Sequence, residues 1–197
     1  MFSLAVERAL AVSIAAHAGQ LRKSAEPVPY VVHPLHVALL LARWGQDDEV
    51  VVAGLLHDVA EDCPGWSVER IEREFGRHVA HLVGELTEDK TRSWEERKRT
   101  QVEHVPHMSP QAATVKAADQ LHNLQSLAAE LRASSAPDEV WRRFRKGRER
   151  TLAMAQELVE ALATRVEPKV AKSLRAALRA VLEADSASQS RVATPAR

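Results

Sequence analysis

The sequence contains one cysteine, Cys63, and this scarcity excludes two kinds of site. A single cysteine cannot build a disulfide framework or supply the thiolates of a structural zinc site, and its use fits a reducing compartment. We also expect no signal peptide, because the apolar start of the chain is interrupted by Glu7 and Arg8. The other apolar runs are too short to span a bilayer. We therefore expect a cytoplasmic protein that has no membrane partner.

Glycine and aromatic residues are also scarce, with 7 glycines and 4% Phe, Trp and Tyr. This composition disfavours an all-β fold and favours helices. Neither sign of charge is in excess, since Lys+Arg and Asp+Glu both number 27, which argues against a nucleic-acid partner. The 197 residues, 45% of them hydrophobic, are enough for one domain with a substantial core. The sequence thus predicts an all-α protein.

The order of apolar stretches and breakers predicts a single domain over residues 1–184. Its early helices cover 3–18 and 34–44, and Asp47 and Ser67 are expected to cap later ones. Gln111–Leu131 is predicted as a nearly buried helix. Residues 139–163 are predicted as one long helix and 168–184 as the last. Residues 185–197 are rich in Ser and Ala without periodicity, and we expect a disordered tail.

A histidine and three carboxylates lie close together in the segment Gly54–Asp62. On one continuous helix, Glu61 follows His57 by four residues and Asp62 follows Asp58 by four, so both pairs share a face. A His-Asp pair can bind a metal ion, and acids one turn later can act on a water. Taken alone, the segment is more typical of an ordinary acidic surface turn.

A second polar stripe crosses the apolar helix at 111–131. Asp119, Asn123 and Ser126 lie at positions i, i+4 and i+7, on one face. A carboxylate buried there is costly unless it is paired or bound to a metal, so Asp119 is either a ligand or the partner of a cation such as Lys116. His33 precedes Pro34 at a helix start, where a capping histidine and a ligand are both plausible.

Together these residues form a candidate metal site between helices, with His33, His57, Asp58 and Asp119 as ligands. Two imidazoles and two carboxylates suit Mn²⁺, with Zn²⁺ and Fe²⁺ as alternatives. Arg22 and Lys23, in a proline-containing loop, are either solvated cations or contacts for an anionic substrate.

Seven segments resemble, in order, the hydrolase domain of the Rel/Spo alarmone enzymes, and more closely the stand-alone small alarmone hydrolases within the HD-domain phosphohydrolases. They span about residues 5–150. The segments are His17–Lys23, Pro29–Pro34, Leu55–Asp62, Phe75–Gly76, Leu86–Thr91, Glu96–Arg99 and Lys116–Leu124.

The resemblance implies an all-α HD-domain bundle that is a Mn²⁺-dependent 3′-pyrophosphohydrolase, converting (p)ppGpp to GDP or GTP and pyrophosphate. It implies the same four metal ligands and assigns the handling of the attacking water to Glu61 and Asp62. The substrate-binding residues that it implies are Arg22, Lys23, Lys90, Asn123, Ser126 and Arg145.

Two other readings stay open at this point. One is a phosphohydrolase acting on NADPH, as a 2′-phosphatase, or on an adenosine alarmone such as pppApp. The other is a non-catalytic nucleotide-binding module. A small-molecule nucleotide is the expected partner in each case, and a homo-oligomer is left open.

Overall fold

Residues 3–24 and 26–193 are described by a computed structural model, and their regular structure is helical. The α-helices are α1 Leu4–Ala16, α2 Val32–Arg43, α3 Asp48–Leu56, α4 Val59–Asp62, α5 Val68–Phe75, α6 Arg77–Leu86, α7 Trp94–His104, α8 Pro110–Ala133, α9 Pro137–Arg142, α10 Gly147–Ala163 and α11 Pro168–Ala193, with a 3₁₀ turn at Val105–His107. Within this part of the chain there is no strand, and one antiparallel bridge joins Leu21 to Pro29. The all-α prediction is confirmed. No helix in these residues is long and apolar enough to cross a membrane.

Helix starts follow the capping chemistry expected from the sequence. Asp47 caps α3 by accepting from the backbone N–H of Val50, and Ser67 caps α5 by accepting from Arg70. Ser93 begins α7 with a reciprocal capping box, in which Glu96 returns a bond to the Ser93 backbone. These caps satisfy donors that a helix start leaves without partners, and they fix where each helix enters the bundle.

Helices α3 and α8 form the centre of the bundle. Every residue from Val50 to Leu56 in α3 is buried, and α3 packs against α1, α2, α6 and α8. The approach of α2 depends on Gly54, because a Cβ at that position would overlap the Leu41 side chain. α11 packs along α8, so the last helix covers the core on the far side.

The helix expected to begin after Asp47 and to carry the motif from His57 to Asp62 is interrupted. α3 ends at Leu56, a turn follows at His57 and Asp58, and α4 begins at Val59. The His57 ring nitrogen Nδ1 lies 2.8 Å from the Gly54 carbonyl oxygen, which a continuing helix would use for the N–H of residue 58. The expectation of one continuous helical face was therefore wrong: His57 and Asp58 form the turn, and Glu61 and Asp62 lie in the helix that follows it.

The C-terminal part also differs from prediction. The single helix expected at 139–163 is two helices, α9 and α10, because Gly147 adopts φ +76° at their junction. The disordered tail expected from residue 185 is, as far as Ala193, a continuation of α11. Asp185 is buried and accepts hydrogen bonds from Trp141 Nε1 at 2.9 Å and from Arg148. This burial of a paired carboxylate anchors the segment, and residues 194–197 lie outside the described part of the chain.

Candidate metal centre and active site

Four side chains from three parts of the bundle converge at its centre. His33 comes from the first turn of α2, His57 and Asp58 from the α3–α4 turn, and Asp119 from the middle of α8. His33 Nε2 lies 3.2 Å from Asp119 Oδ1 and 3.7 Å from Asp58 Oδ2, and His57 Nε2 lies 3.2 Å from the same Asp58 oxygen. His33, His57 and Asp58 each offer one ligand atom within 4.8 Å of the others. The structure thus brings together the four residues predicted as ligands.

The hydrogen bonding of His57 tests whether a cation fits this cluster. Its Nδ1 faces the Gly54 carbonyl, which can only accept, so Nδ1 carries the ring proton. Nε2 then presents a lone pair, and this buried atom has no hydrogen-bond partner. A buried lone pair 3.2 Å from a carboxylate oxygen is stabilised by a cation between them. Imidazole and carboxylate are also the donor types that first-row divalent ions take.

Asp119 is both ion-paired and directed at the cluster. Its Oδ2 lies 2.8 Å from the Lys116 ammonium, so the salt bridge considered from the sequence is present. Its Oδ1 faces His33 and accepts from Asn123 Nδ2 at 2.6 Å. Burial alone would raise the pKa of Asp119, but the Lys116 charge and then the His33 contacts hold that pKa well below its usual value. Asp119 is therefore an anion at neutral pH.

Tyr30 orients the other carboxylate and was missed as a site residue. Its hydroxyl donates to Asp58 Oδ2 at 2.7 Å. Burial, with the neighbouring Asp58 charge, raises the pKa of Tyr30, so the phenol remains a neutral donor. The tyrosine belongs to the Pro29–Pro34 motif, but nothing in the local sequence indicates which carboxylate it would meet.

His122 was also missed, although it lies between Asp119 and Asn123. Its Nδ1 is 2.8 Å from His33 Nδ1, on the side of the His33 ring away from the cluster. Burial is the main cause that lowers the pKa of His122 to about 3, followed by the nearby His33. Burial likewise lowers the pKa of His33. Both rings are therefore neutral at physiological pH.

The two candidate catalytic acids occupy α4, one turn after Asp58. Glu61 Oε2 accepts from the backbone N–H of Glu88 at 3.1 Å, and burial raises the pKa of Glu61. Asp62 pairs with the Lys90 ammonium, which also donates to the Glu61 carbonyl oxygen at 2.7 Å. Lys90 is thus beside both acids.

The Glu96–Arg99 segment supports the position of Glu61 through Glu88. Arg97 and Lys98 each donate to the Glu88 carboxylate at 2.6 Å. Because the Glu88 backbone N–H donates to Glu61, the two cations fix the loop that orients one of the candidate catalytic acids. A charged run of this kind is usually a solvated helix face, so its inward contacts could not be read from the sequence.

Only some of the remaining predicted substrate-binding residues lie near the four proposed ligands. Arg22 donates to Asn123 Oδ1 at 3.0 Å and lies over the Tyr30 ring, so both Arg22 and Asn123 border the cluster. Ser126 Oγ lies 3.5 Å from His122 Nε2, one turn further along α8. Two cations are exposed instead: Lys23 beside Arg22, and Arg145 on the turn between α9 and α10.

Comparison with known proteins identifies the family of this chain. The family profile of the HD domain matches residues 9–148. The chain belongs to the HD-domain family. An HD domain implies a divalent metal, and here His33, His57 and Asp58 form the core of such a site.

This HD domain resembles animal hydrolases, as its motifs predicted. It is 48% identical over 113 residues to the guanosine-3′,5′-bis(diphosphate) 3′-pyrophosphohydrolase MESH1 of Xenopus tropicalis, covering 56% of this chain and 63% of the relative. The human protein of that name is 46% identical over 113 residues, with the same two shares. The chain therefore spans just under two thirds of these relatives.

Solved structures extend the likeness beyond the region of sequence similarity. A structure described as a metazoan ortholog of SpoT that hydrolyses ppGpp superposes with a TM-score of 0.79 at 31% identity, covering 91% of this chain and 96% of that one. A Listeria monocytogenes protein superposes with a TM-score of 0.67 at 35% identity, covering 78% and 96%. The shared architecture thus includes most of the C-terminal helices.

Proposed function

We propose that this protein is a divalent-metal-dependent pyrophosphohydrolase that removes the 3′-pyrophosphate of ppGpp or pppGpp, giving GDP or GTP. The observation that carries the proposal is the convergence of His33, His57, Asp58 and Asp119 around a buried, unpartnered His57 Nε2. The names of the MESH1 relatives and the ppGpp-hydrolysing structural neighbour support the choice of substrate.

Mn²⁺ is the proposed ion, held by those four residues, with Zn²⁺ and Fe²⁺ as alternatives. When bound, such an ion supplies Lewis-acid polarisation of a phosphoryl oxygen and lowers the pKa of a water. The protein contributes the negative charge of two carboxylates and a water-poor setting, because both histidines are nearly fully buried. We further propose that the enzyme acts in the cytoplasm.

Glu61 and Asp62 are the proposed acid–base groups. A carboxylate whose pKa is raised by burial accepts a proton more readily than an exposed one, which suits Glu61 to take the proton of the attacking water. Asp62 is held as an ion pair with Lys90 and orients that water. Lys90 carries positive charge to the same place and supports binding of the anionic diphosphate.

Arg22 and Asn123 are the proposed contacts for the nucleoside end of the substrate. The Arg22 guanidinium lies 5.7 Å from the centre of the Tyr30 ring and donates a hydrogen bond to Asn123. These two contacts hold the planar guanidinium in one orientation. Lys23 and Arg145 are exposed cations, and their charge suits them as contacts for the phosphate groups of the substrate.

The decisive experiment is an assay of purified, EDTA-stripped protein with ppGpp, with and without Mn²⁺. We expect Mn²⁺-dependent release of GDP and pyrophosphate. Asp119→Ala should lose bound metal, whereas Glu61→Gln should keep metal and lose about 10²–10⁴-fold in turnover. The matched control is Glu69→Gln, which changes an exposed acid in the first turn of α5 and should leave turnover unchanged.

Substrate choice is settled in the same assay by comparing kcat/KM for ppGpp, pppApp and NADPH, since specificity is a ratio of these values. A larger value for NADPH or pppApp would replace ppGpp as the substrate while keeping the site. Failure of all three substrates at saturating Mn²⁺, with the same rates as a His57→Ala variant, would leave a non-catalytic nucleotide-binding module.

A further inference from the structure

One ring nitrogen of His33 faces the cluster of proposed metal ligands, and the other faces His122. Its Nε2 is 3.2 Å from Asp119 Oδ1, and its Nδ1 is 2.8 Å from His122 Nδ1. Two Nδ1 atoms at this distance share one proton, because only one of them can donate. In a neutral ring, a proton on His33 Nδ1 leaves a lone pair on Nε2, and a proton on His33 Nε2 blocks metal binding there.

One placement of that proton leaves His33 Nε2 free to bind an ion, and the surroundings of His122 accommodate it. His122 is 6% exposed, and its Nε2 is 3.5 Å from the Ser126 hydroxyl oxygen, which can accept or donate. If His33 Nδ1 donates to His122 Nδ1, then His122 carries its own proton on Nε2 and directs it at Ser126. This arrangement leaves both His33 and His57 with lone pairs on Nε2, since His57 donates through Nδ1 to Gly54.

We infer that His122 is a positioning residue of the metal centre, acting through His33. Its Nδ1 accepts the His33 proton, Ser126 accepts the proton of His122 Nε2, and this chain commits His33 Nε2 to the ion. The inference rests on the metal site of the proposed function and not on the identity of its nucleotide. It makes Ser126 the hydrogen-bond partner of a residue that orients a ligand, in place of the nucleotide contact expected from the sequence.

The test compares two replacements of His122 that differ in hydrogen bonding. In His122→Asn, the side-chain Oδ1 can take the place of Nδ1 as acceptor, whereas His122→Leu offers none. Isothermal titration of EDTA-stripped full-length protein with Mn²⁺ should show about 10–100-fold weaker binding for His122→Leu. His122→Asn should bind more tightly than His122→Leu. Ser126→Ala should weaken binding less than His122→Leu does.

His36 provides the matched control. Its exposed ring contacts the His122 ring, with centroids 4.5 Å apart, but lies outside the proposed chain of protons. His36→Leu should therefore leave the Mn²⁺ affinity unchanged. Thermal melting of the metal-free variants identifies any that fail to fold, and those are not scored.

A second measurement needs no substitution at all. In ¹⁵N-histidine-labelled wild-type protein loaded with diamagnetic Zn²⁺, His122 should be protonated on Nε2 and bare on Nδ1. The opposite tautomer would overturn the inference, as would wild-type Mn²⁺ affinity in folded His122→Leu. Because these readouts concern metal and tautomer, they stand even if ppGpp is not hydrolysed. If the wild-type protein does not hydrolyse ppGpp but the variants show the expected differences in Mn²⁺ affinity, the result counts against the proposed function alone.

Discussion

Replacing Lys116 with methionine measures how far the buried Asp119 carboxylate depends on its cation. The two groups are 2.8 Å apart, and their side chains are 11% and 10% exposed. Methionine keeps most of the apolar stem of lysine and removes only the charge. Removing one partner of a buried ion pair costs about 3–5 kcal/mol, because the other charge remains buried without compensation. Asn123 still donates to Asp119, so we expect the lower end, about 3 kcal/mol.

The assay is urea unfolding at neutral pH in EDTA, followed by circular dichroism. Lys169→Met is the control, because Lys169 pairs with Glu167 at 3.0 Å but both side chains are more than 60% exposed. Its effect should stay below about 0.5 kcal/mol. If the free energy of unfolding of Lys116→Met lies within about 0.5 kcal/mol of the wild-type value, Asp119 does not depend on this cation and the reasoning is refuted.

Acid provides an independent check on the same pair. The pKa of Asp119 is depressed in the folded protein, so its stabilising contribution is complete above the ordinary value of 3.8 and is lost as pH falls through the lower folded-state pKa. Without the Lys116 charge, the largest of the causes that lower this pKa is gone, and only the histidine contacts still oppose burial. The acid-side loss of stability attributable to Asp119 should therefore be smaller in Lys116→Met, and equal slopes in the two proteins would contradict the assignment.

Three other predictions follow from contacts around the site and at the chain end. Tyr30→Phe removes the hydroxyl that donates to Asp58, so Mn²⁺ affinity should fall about 10-fold by titration calorimetry; an unchanged affinity would show that Asp58 is held without it. Burial raises the pKa of Glu61 above 4.5, and its deprotonated fraction falls as pH drops through that raised value. The acid limb of kcat/KM should therefore lie above pH 4.5, and a limb below it would exclude Glu61 as the base. Asp185→Ala leaves Arg148 without its carboxylate and should lower the free energy of unfolding by about 1.5–3 kcal/mol in urea; no change would mean that the end of α11 is not anchored there.

The four proposed ligands could be predicted as a cluster because each carries a local signal. His33 sits beside a proline at a helix start, His57 and Asp58 are adjacent, and Asp119 is a carboxylate in an apolar helix. Local periodicity was sufficient to expect burial of Asp119. The structure brings them together as expected.

Their supporting contacts could not be predicted, since these depend on which helix faces meet. Tyr30 reaches Asp58 across 28 residues, and His122 reaches His33 across 89. The same limit explains the error at the chain end. Ser- and Ala-rich composition is typical of disorder, but Asp185 finds Trp141 44 residues away, and only the tertiary structure reveals that partner.

Gly54 lies where the packing of the bundle meets the spacing of the proposed metal ligands. It lets α2 approach α3, and those two helices carry His33 and lead into His57, whose ring centroids are 5.2 Å apart. Its carbonyl also fixes the His57 ring proton. A Cβ at this position would press on the Leu41 side chain, at the contact between the helix that carries His33 and the helix that ends at His57. A residue without a side chain therefore stands where the packing of the bundle meets the proposed metal site.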